Sequence, residues 1–298
     1  MVNKTSSPVL CIGSALWDII ASSGQALNPG DDVAGRIRRR PGGVALNIAL
    51  ALVAQGQPAA LLSMVGRGPQ GDALIAELEE AGVDCQYITR SDDPTDTYLA
   101  IETTSGEVFA AIADCASLER AGDTILTPLR DGRLADEFTP WKGSVIVDGN
   151  LPVTVLESLA EHGDFWGANL TFVPASPGKA ARMRAALKSS SGTLFVNKGE
   201  AEILCERSFA DAEEAGTTLR TLGAHRTIVT DGPNPACLCV GEEVVTVTPP
   251  KVEANTTTGA GDVFLATFIA TELSGKCVED TLETSVQAAA KHITKVIT

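Results

Sequence analysis

The strongest constraint on the fold is the alternation of short, uninterrupted apolar runs with helical patterns. Residues 9–13 (VLCIG) and 59–66 (AALLSMVG) fit buried strands, whereas residues 44–56 and 71–83 fit helices. Strands that are apolar on both faces are typical of parallel sheets, whose crossover helices cover each face. The sequence therefore predicts an α/β fold, with a doubly wound, mostly parallel sheet in one domain over residues 1–298.

Two segments interrupt this alternation. Residues 31–43 and 96–114 have the polar alternation of exposed strands, and the second contains a turn pattern at residues 104–106. We expect a small β lid outside the main sheet, formed by segments at about 14–41 and 96–114.

Composition excludes several classes of partner. Lys and Arg number 23 and Asp and Glu 38, so the formal charge is −15, which disfavours a nucleic-acid polymer or an anionic membrane. A small anionic ligand is not excluded, because it needs only a local positive field. The seven cysteines are scattered without a CxxC pair, and no apolar run reaches the ~18 residues that a bilayer requires. We therefore expect a cytoplasmic protein without a disulfide framework.

Residues 256–264 (TTTGAGDVF) place two glycines and a carboxylate where a helix begins. A helix N-terminus has unpaired N–H donors, and glycine lets an anion approach the backbone closely. Gly259, Ala260 and Gly261 could thus form an anion hole. Asp262 could accept a proton from an attacking hydroxyl, or it could be an ordinary helix-start carboxylate, and the motif alone leaves both interpretations open.

Two further motifs also have two interpretations. In PGGVALN, residues Gly42, Gly43 and Asn47 could hold a polar ligand or form a tight strand–helix connection. In NKGE, residues Asn197 and Glu200 could hold Mg²⁺ through water or cap a helix. The chain has no GxxxxGK[ST] sequence, which excludes a P-loop.

Taken together, these motifs resemble the paired signatures of the ribokinase-like (PfkB) carbohydrate kinases. PGGVALNIALALVAQG lies near the N-terminus and TTTGAGDVF near the C-terminus, with GVDCQYI, VNKGEAEIL and VTDGP between them in the family's order. The resemblance covers essentially the whole chain. It implies a doubly wound α/β domain with a β lid, ATP and Mg²⁺ as cofactors, and phosphorylation of a primary hydroxyl.

The resemblance also implies a role for each motif residue. These roles are catalytic base for Asp262; anion hole for Gly259, Ala260 and Gly261; sugar binding for Asp18, Gly42, Gly43 and Asn47; metal and phosphate binding for Asn197 and Glu200; and nucleotide binding for Thr230 and Gly232.

Within the family, residues 98–115, 147–152 and 176–183 are most similar to the pseudouridine kinases. This similarity implies that Asp114 and Asn150 contact a nucleobase and that the 5′-hydroxyl of pseudouridine accepts the phosphoryl group. Two alternatives stay open. One is a kinase of the same fold acting on ribose, fructose, a keto-deoxy sugar acid or another nucleoside. The other is a catalytically weak relative that binds a nucleoside.

Some positions depart from the family pattern. Thr256 stands where relatives have a carboxylate or amide that serves a monovalent-cation site, so we expect only a modest response to potassium. Thr267 replaces a small residue, and Pro235 replaces a common glycine of the nucleotide loop. Because the lid would expose sheet edges, we also expect a homodimer formed through the lid.

Overall fold

The structure is a computed structural model that describes residues 7–28, 30–104, 108–161, 165, 167–254 and 258–294. The strands, in chain order, are β1 (Val9–Ile12), β2 (Leu16–Ser22), β3 (Arg36–Gly42), β4 (Ala59–Leu62), β5 (Met64–Gly66), β6 (Thr89–Ser91), β7 (Thr97–Glu102), β8 (Val108–Asp114), β9 (Ser144–Asp148), β10 (Asn169–Val173), β11 (Thr193–Asn197), β12 (Arg226–Asp231), β13 (Asn234–Val240) and β14 (Glu243–Val247). The helices are α1 (Val44–Ala54), α2 (Pro69–Glu80), α3 (Ser117–Ala121), α4 (Val153–Glu161), α5 (Lys198–Cys205), α6 (Ala212–Thr221), α7 (Ala260–Leu273) and α8 (Val278–Ile293), with 3₁₀ segments at Gly122–Leu129 and Pro177–Lys188.

The main sheet has eight strands in the order β14-β13-β12-β11-β10-β9-β1-β4. Strands β4, β1, β9, β10, β11 and β12 are parallel, and β13 and β14 add an antiparallel edge. The predicted α/β fold with a mostly parallel sheet is confirmed.

Each face of this sheet carries its own apolar core. Leu10 and Ile12 of β1 join the core under α3, α4, α5 and α6, whereas Val9 and Cys11 join the core under α1, α2, α7 and α8. Successive side chains of a strand point to opposite faces, so an apolar run in β1 fills both cores. The fold is therefore doubly wound, as the sequence predicted.

The strand order reverses beside β1. From β1 the chain crosses to β4 on one side, and later strands continue from β9 on the other side. In open α/β sheets, ligands bind in the crevice at the carboxyl ends of the strands where this reversal occurs. Ser14 follows β1 and Asp148 ends β9, so both lie at this switch point.

A second, smaller sheet has the order β3-β2-β7-β8 and is built from the two segments that the sequence assigned to a lid. Strands β2 and β7 are parallel, and the outer pairs are antiparallel. Every residue of the edge strand β8 is exposed, as are Arg36 to Arg40 on the opposite edge. The turn predicted at residues 104–106 lies partly outside the described residues.

None of the helices in the described ranges is both long enough and apolar enough to cross a bilayer.

Candidate active site

The switch point is organised by the carboxylate of Asp148, which is fully buried. Its Oδ2 accepts hydrogen bonds from Ser14 N at 2.8 Å, Ser14 Oγ at 2.7 Å and Ala45 N at 3.2 Å, and its Oδ1 accepts one from Asn150 N at 2.9 Å. These donors come from the ends of β1 and β9 and from the start of α1. The carboxylate therefore fixes three elements against each other.

Two glycines make room for carboxylates in this crevice. A Cβ on Gly13 would lie 2.2 Å from Asp148 Cγ, and a Cβ on Gly42 would lie 2.4 Å from Asp18 Cγ. Such distances are far inside van der Waals contact, so neither position accepts a side chain without displacing the carboxylate. The PGG motif thus brings the backbone close to Asp18.

Helix α1 starts from Gly43, which has a φ of +105° and serves as its N-cap. The amide of Val44 donates to Ser14 Oγ at 3.0 Å, which ties the first turn to β1. One turn later, Asn47 Nδ2 donates to Asp262 Oδ2 at 3.0 Å. The two glycine motifs, 215 residues apart, therefore meet through one side-chain hydrogen bond.

Asp262 lies in the first turn of α7 and is partly buried. Burial raises the pKa of this carboxyl to about 6, although the hydrogen bond from Asn47 acts to lower it. The negative charges of Asp148, Asp18 and Glu200 raise its pKa further. A carboxylate in this environment can take up a proton close to neutral pH.

Among the described residues, no side chain caps the N-terminus of α7. Its N-cap, Gly259, is in the left-handed region at φ 79° and has no side chain to accept the first amide protons. The fourth amide, of Val263, bonds to Gly259 O at 3.0 Å, so the amides of Ala260, Gly261 and Asp262 precede the intrahelical ladder. Gly259, Ala260 and Gly261 therefore have the arrangement of an anion-binding helix start beside Asp262.

The small sheet contributes Asp18 to this crevice. Burial raises the pKa of Asp18, and Arg40, whose Nε lies 3.6 Å from Asp18 Oδ2, opposes that rise. Asp114, the other predicted contact from this sheet, pairs with Thr97, whereas Asp18 pairs with Tyr98. Neighbouring residues of a strand point to opposite faces, so Asp114 lies on the other face of the sheet from Asp18.

The predicted nucleotide residues lie together at the ends of β11 and β12. Asn197 and Thr230 are register partners, and Gly232 follows in the turn after β12 with a φ of +55°. Asn197 and Glu200 form a reciprocal capping box at the start of α5, with both hydrogen bonds at 2.9 Å. The structure therefore contains the helix cap that the NKGE motif allowed. Burial raises the pKa of Glu200.

Asn150 lies beside Asp148 but is already occupied. Its Nδ2 donates to Ser14 Oγ at 2.9 Å and to Asp148 Oδ2 at 3.3 Å. Its Oδ1 accepts a hydrogen bond from Lys179 Nζ at 2.6 Å.

Sequence reasoning did not select Ser14, Asp148 or Lys179 as site residues. Ser14 carries no sequence signal beyond its position just after a buried strand, whereas Asp148 and Lys179 lie in the stretches 147–152 and 176–183 that resemble the pseudouridine kinases. Of the departures from the family pattern, Thr267 is buried and its hydroxyl donates to Val263 O at 2.8 Å, and Pro235 lies exposed in β13. Thr256 lies outside the described residues.

Solved structures with this fold include carbohydrate kinases. A carbohydrate kinase from Agrobacterium tumefaciens is 24% identical, with a TM-score of 0.80 over 98% of this chain and 92% of that one. A ribokinase from Arabidopsis thaliana, complexed with ribose and ATP, is 20% identical, with a TM-score of 0.77 over 97% of this chain and 93% of that one. Among curated proteins, the pseudouridine kinase of Escherichia coli is 29% identical over 276 residues, which cover 87% of this chain and 81% of that protein.

A model of the pfkB family of carbohydrate kinases matches residues 6–298. The chain therefore belongs to the pfkB family of carbohydrate kinases. It is an ATP-dependent phosphotransferase that acts on a sugar or a nucleoside.

We predict that Asp148→Asn lowers the free energy of unfolding by about 2–4 kcal/mol, because an amide cannot accept from all of the donors around this buried position. Urea unfolding at constant pH measures the loss. The matched control is Asp136→Asn, since Asp136 also accepts hydrogen bonds from two backbone amides, of Phe138 and Thr139, but is only partly buried. We expect a clearly smaller loss for the control, and equal losses would contradict the argument.

Proposed function

We propose that the protein transfers the γ-phosphoryl group of ATP to the 5′-hydroxyl of pseudouridine. The observation that carries the proposed chemistry is the position of Asp262, a carboxyl with a raised pKa beside the open N-terminus of α7. The preference for pseudouridine is supported by the similarity to the pseudouridine kinase of Escherichia coli and by the polar groups around Asn150.

In the proposed reaction, ionised Asp262 accepts the proton of the substrate hydroxyl. The hydroxyl oxygen forms a bond to the γ-phosphorus while the bond from that phosphorus to the β–γ bridging oxygen breaks, and ADP leaves. Asn47 donates a hydrogen bond of 3.0 Å to Oδ2 of Asp262 and so fixes the orientation of the carboxylate. Asp262 can then act as base only when substrate brings its hydroxyl to the other oxygen.

The amides at the start of α7 would stabilise the charge on the transferring group. Gly259, Ala260 and Gly261 precede the hydrogen-bonded part of the helix, so their N–H groups and the positive end of the helix dipole are available to phosphate oxygens. The left-handed φ of Gly259 favours glycine, and because glycine has no Cβ, none stands in this turn.

The sugar would lie between the small sheet and α1. Asp18 offers a carboxylate to sugar hydroxyls, and Asn47 lies between the sugar and Asp262. Gly42 and Gly43 would contribute backbone to the same site, and their missing side chains make room for Asp18 and Ser14. The small sheet would act as a lid that excludes water, so that ATP is not hydrolysed. In the same scheme Asp114, on the face of the sheet opposite Asp18, does not face the sugar.

The nucleotide would lie along Asn197, Thr230 and Gly232. Glu200 uses one carboxylate oxygen in the capping box, and its other oxygen could hold Mg²⁺ through water, since Mg²⁺ commonly takes one or two carboxylates together with phosphate oxygens. Among the described residues, no cluster of three acidic, histidine or cysteine side chains could hold a metal by itself. Bound Mg²⁺ would neutralise phosphate charge. The expected weak response to potassium stays a prediction.

Two alternative functions are also considered. The fold is shared with a ribokinase, so ribose, fructose, a keto-deoxy sugar acid or another nucleoside could be the acceptor. A catalytically weak nucleoside-binding relative is the second alternative. A pure binder has no use for a carboxyl with a pKa of about 6 beside an anion site, and this observation favours the enzyme. We also propose a cytoplasmic location, supported by seven cysteines that are all free.

We also propose that two copies associate through the small sheet. Strand β8 is an exposed edge, and the face opposite Asp18 carries the apolar residues Ile19, Ile37, Leu99, Ile101 and Ile112 together with the charged residues Arg39 and Asp114. Ile37 and Ile112 are 76% and 67% exposed. The other edge, β3, carries four arginines that repel their own copy, so β8 is the edge that a second copy can pair with.

The dimer is tested by light scattering after size exclusion. We expect a dimer for the wild type and a monomer for Ile112→Lys, because the lysine places a charge in the apolar face. Phe138→Lys is the matched control, since Phe138 is 84% exposed and lies outside the small sheet. A wild type that stays monomeric up to about 100 µM, a concentration at which associations tighter than about −5.5 kcal/mol are populated, would refute this proposal.

The substrate proposal predicts that pseudouridine has the highest kcat/KM among pseudouridine, uridine, adenosine, ribose and fructose with ATP. Product formation is measured directly for each acceptor. A highest value for ribose or fructose would remove the pseudouridine proposal and leave a sugar kinase. ATP consumption that no acceptor increases would favour the nucleoside-binding alternative.

The base proposal predicts that Asp262→Asn lowers kcat by about 10²–10⁴-fold, because an amide cannot take the proton. Nucleotide affinity should change little or rise. The wild-type kcat/KM should fall as pH decreases through about 6, since only the ionised carboxyl accepts a proton.

Stability provides an independent check on the same variant. The folded-state pKa of Asp262 is raised, so the folded protein loses stability as pH rises toward about 6, and the loss persists at neutral pH. Asp262→Asn should therefore melt at the same or a higher temperature at pH 7.5. The control is Asp280→Asn, a carboxylate in the first turn of α8. Near wild-type kcat in folded Asp262→Asn would falsify the mechanism.

A further inference from the structure

Asn150, beside the switch point, holds the ammonium group of Lys179. Lys179 lies in the first turn of the 3₁₀ segment Pro177–Lys188, and its Nζ donates to Asn150 Oδ1 at 2.6 Å. Among the described residues, Asn150 is the acceptor that the structure gives to this ammonium. A lysine ammonium has three N–H donors, so two remain for a ligand.

Asn150 itself has little left to offer a substrate. Both N–H groups of its amide are directed into the buried network, toward Ser14 Oγ and Asp148 Oδ2. Its carbonyl oxygen is turned to Lys179. The side chain that can face a ligand at this position is therefore Lys179, and Asn150 orients it.

The segment that carries Lys179 is fixed to the turn after β9. Arg182 NH1 donates to Leu151 O at 3.0 Å, and Arg182 also pairs with Glu119 at 2.5 Å. A Cβ on Gly149 would lie 3.1 Å from Ala175 N, so the two chain segments are in close contact. The segment that carries Lys179 is thus fixed by the side chain of Arg182 and by the close approach of Gly149 to Ala175.

The position of Lys179 is not explained by helix stability. A basic residue in the first turn of a helix faces the positive end of the dipole, which is unfavourable. The ammonium instead points toward the switch point and lies within electrostatic range of Cys115, the residue directly after β8. Burial and Asp96 raise the pKa of the Cys115 thiol there to about 11, Lys179 opposes this rise, and Asp114 and Asp18 add to it.

We propose that the Lys179 ammonium recognises a ring carbonyl oxygen of the substrate's base, and that Lys179 is a specificity-determining residue. This inference rests on the proposed nucleoside kinase function. An ammonium has only donors, so it selects an acceptor at the position that it contacts. The carbonyl oxygens of a uracil ring meet this requirement, whereas an amino group at the same position would set donor against donor. Ribose alone offers no base for the contact.

The test compares Lys179→Met, which keeps most of the apolar stem and removes the charge, with wild type on pseudouridine and ribose. We expect kcat/KM for pseudouridine to fall by about 10- to 100-fold, as for a lost charge-assisted hydrogen bond, and kcat/KM for ribose to change less than about threefold. The matched control is Lys188→Met in the same segment, because Lys188 pairs with Glu157 and Glu161 away from the crevice.

Binding without ATP separates this inference from the proposed function. Calorimetry with pseudouridine should show weaker binding to Lys179→Met than to wild type or Lys188→Met. A wild type that binds pseudouridine through Lys179 but phosphorylates ribose best would end the functional proposal and support the inference. An equal loss on ribose and pseudouridine, or no loss on either, would overturn the inference while leaving the kinase intact. A wild type that does not bind pseudouridine would overturn both.

Discussion

The rest of the site depends on the burial of one carboxylate. Taking the charge of Asp148 out of water is very unfavourable unless donors replace the lost hydration. Those donors are the amides of Ser14, Ala45 and Asn150 and the Ser14 hydroxyl, which come from three different elements. Strand β1, strand β9 and helix α1 therefore satisfy the charge together only in the observed arrangement, and that arrangement defines the crevice.

A continuous chain of hydrogen bonds connects this buried charge to the proposed base. Ser14 Oγ donates to Asp148 and accepts from the Val44 amide, which sets the axial position of α1. One turn along α1, Asn47 then meets Asp262. Phe264, two residues after Asp262, stacks on Phe195 of β11 at a centroid distance of 5.4 Å. The carboxyl of Asp262 is thus positioned from the sheet at two points, which favours a preorganised base over a flexible one.

The sequence predicted what depends on local pattern. The strand–helix alternation, the small sheet and the glycine turns before α1 and α7 could be predicted, because each follows from the pattern of residues within one short segment. The buried network was not readable: Ser14 and Asp148 are 134 residues apart, and a polar residue at the end of a strand looks like an ordinary loop residue. For Asn197 and Glu200 the sequence left a cap and a metal site open, and the observed capping box uses only part of each side chain.

The pKa of Asp262 depends on the acids around the crevice and on the donors and cations that offset their charge. Asp18, Asp148 and Glu200 each raise the pKa of Asp262, and a bound triphosphate would add negative charge and raise it further. A base must be ionised to work, so this effect has to be opposed when substrates bind. Asn47 stabilises the ionised form, the amides of α7 face the phosphate, and Arg40 offsets the charge of Asp18. Donors therefore offset the charges of the acids around the crevice, and without bound substrates the pKa of Asp262 is about 6.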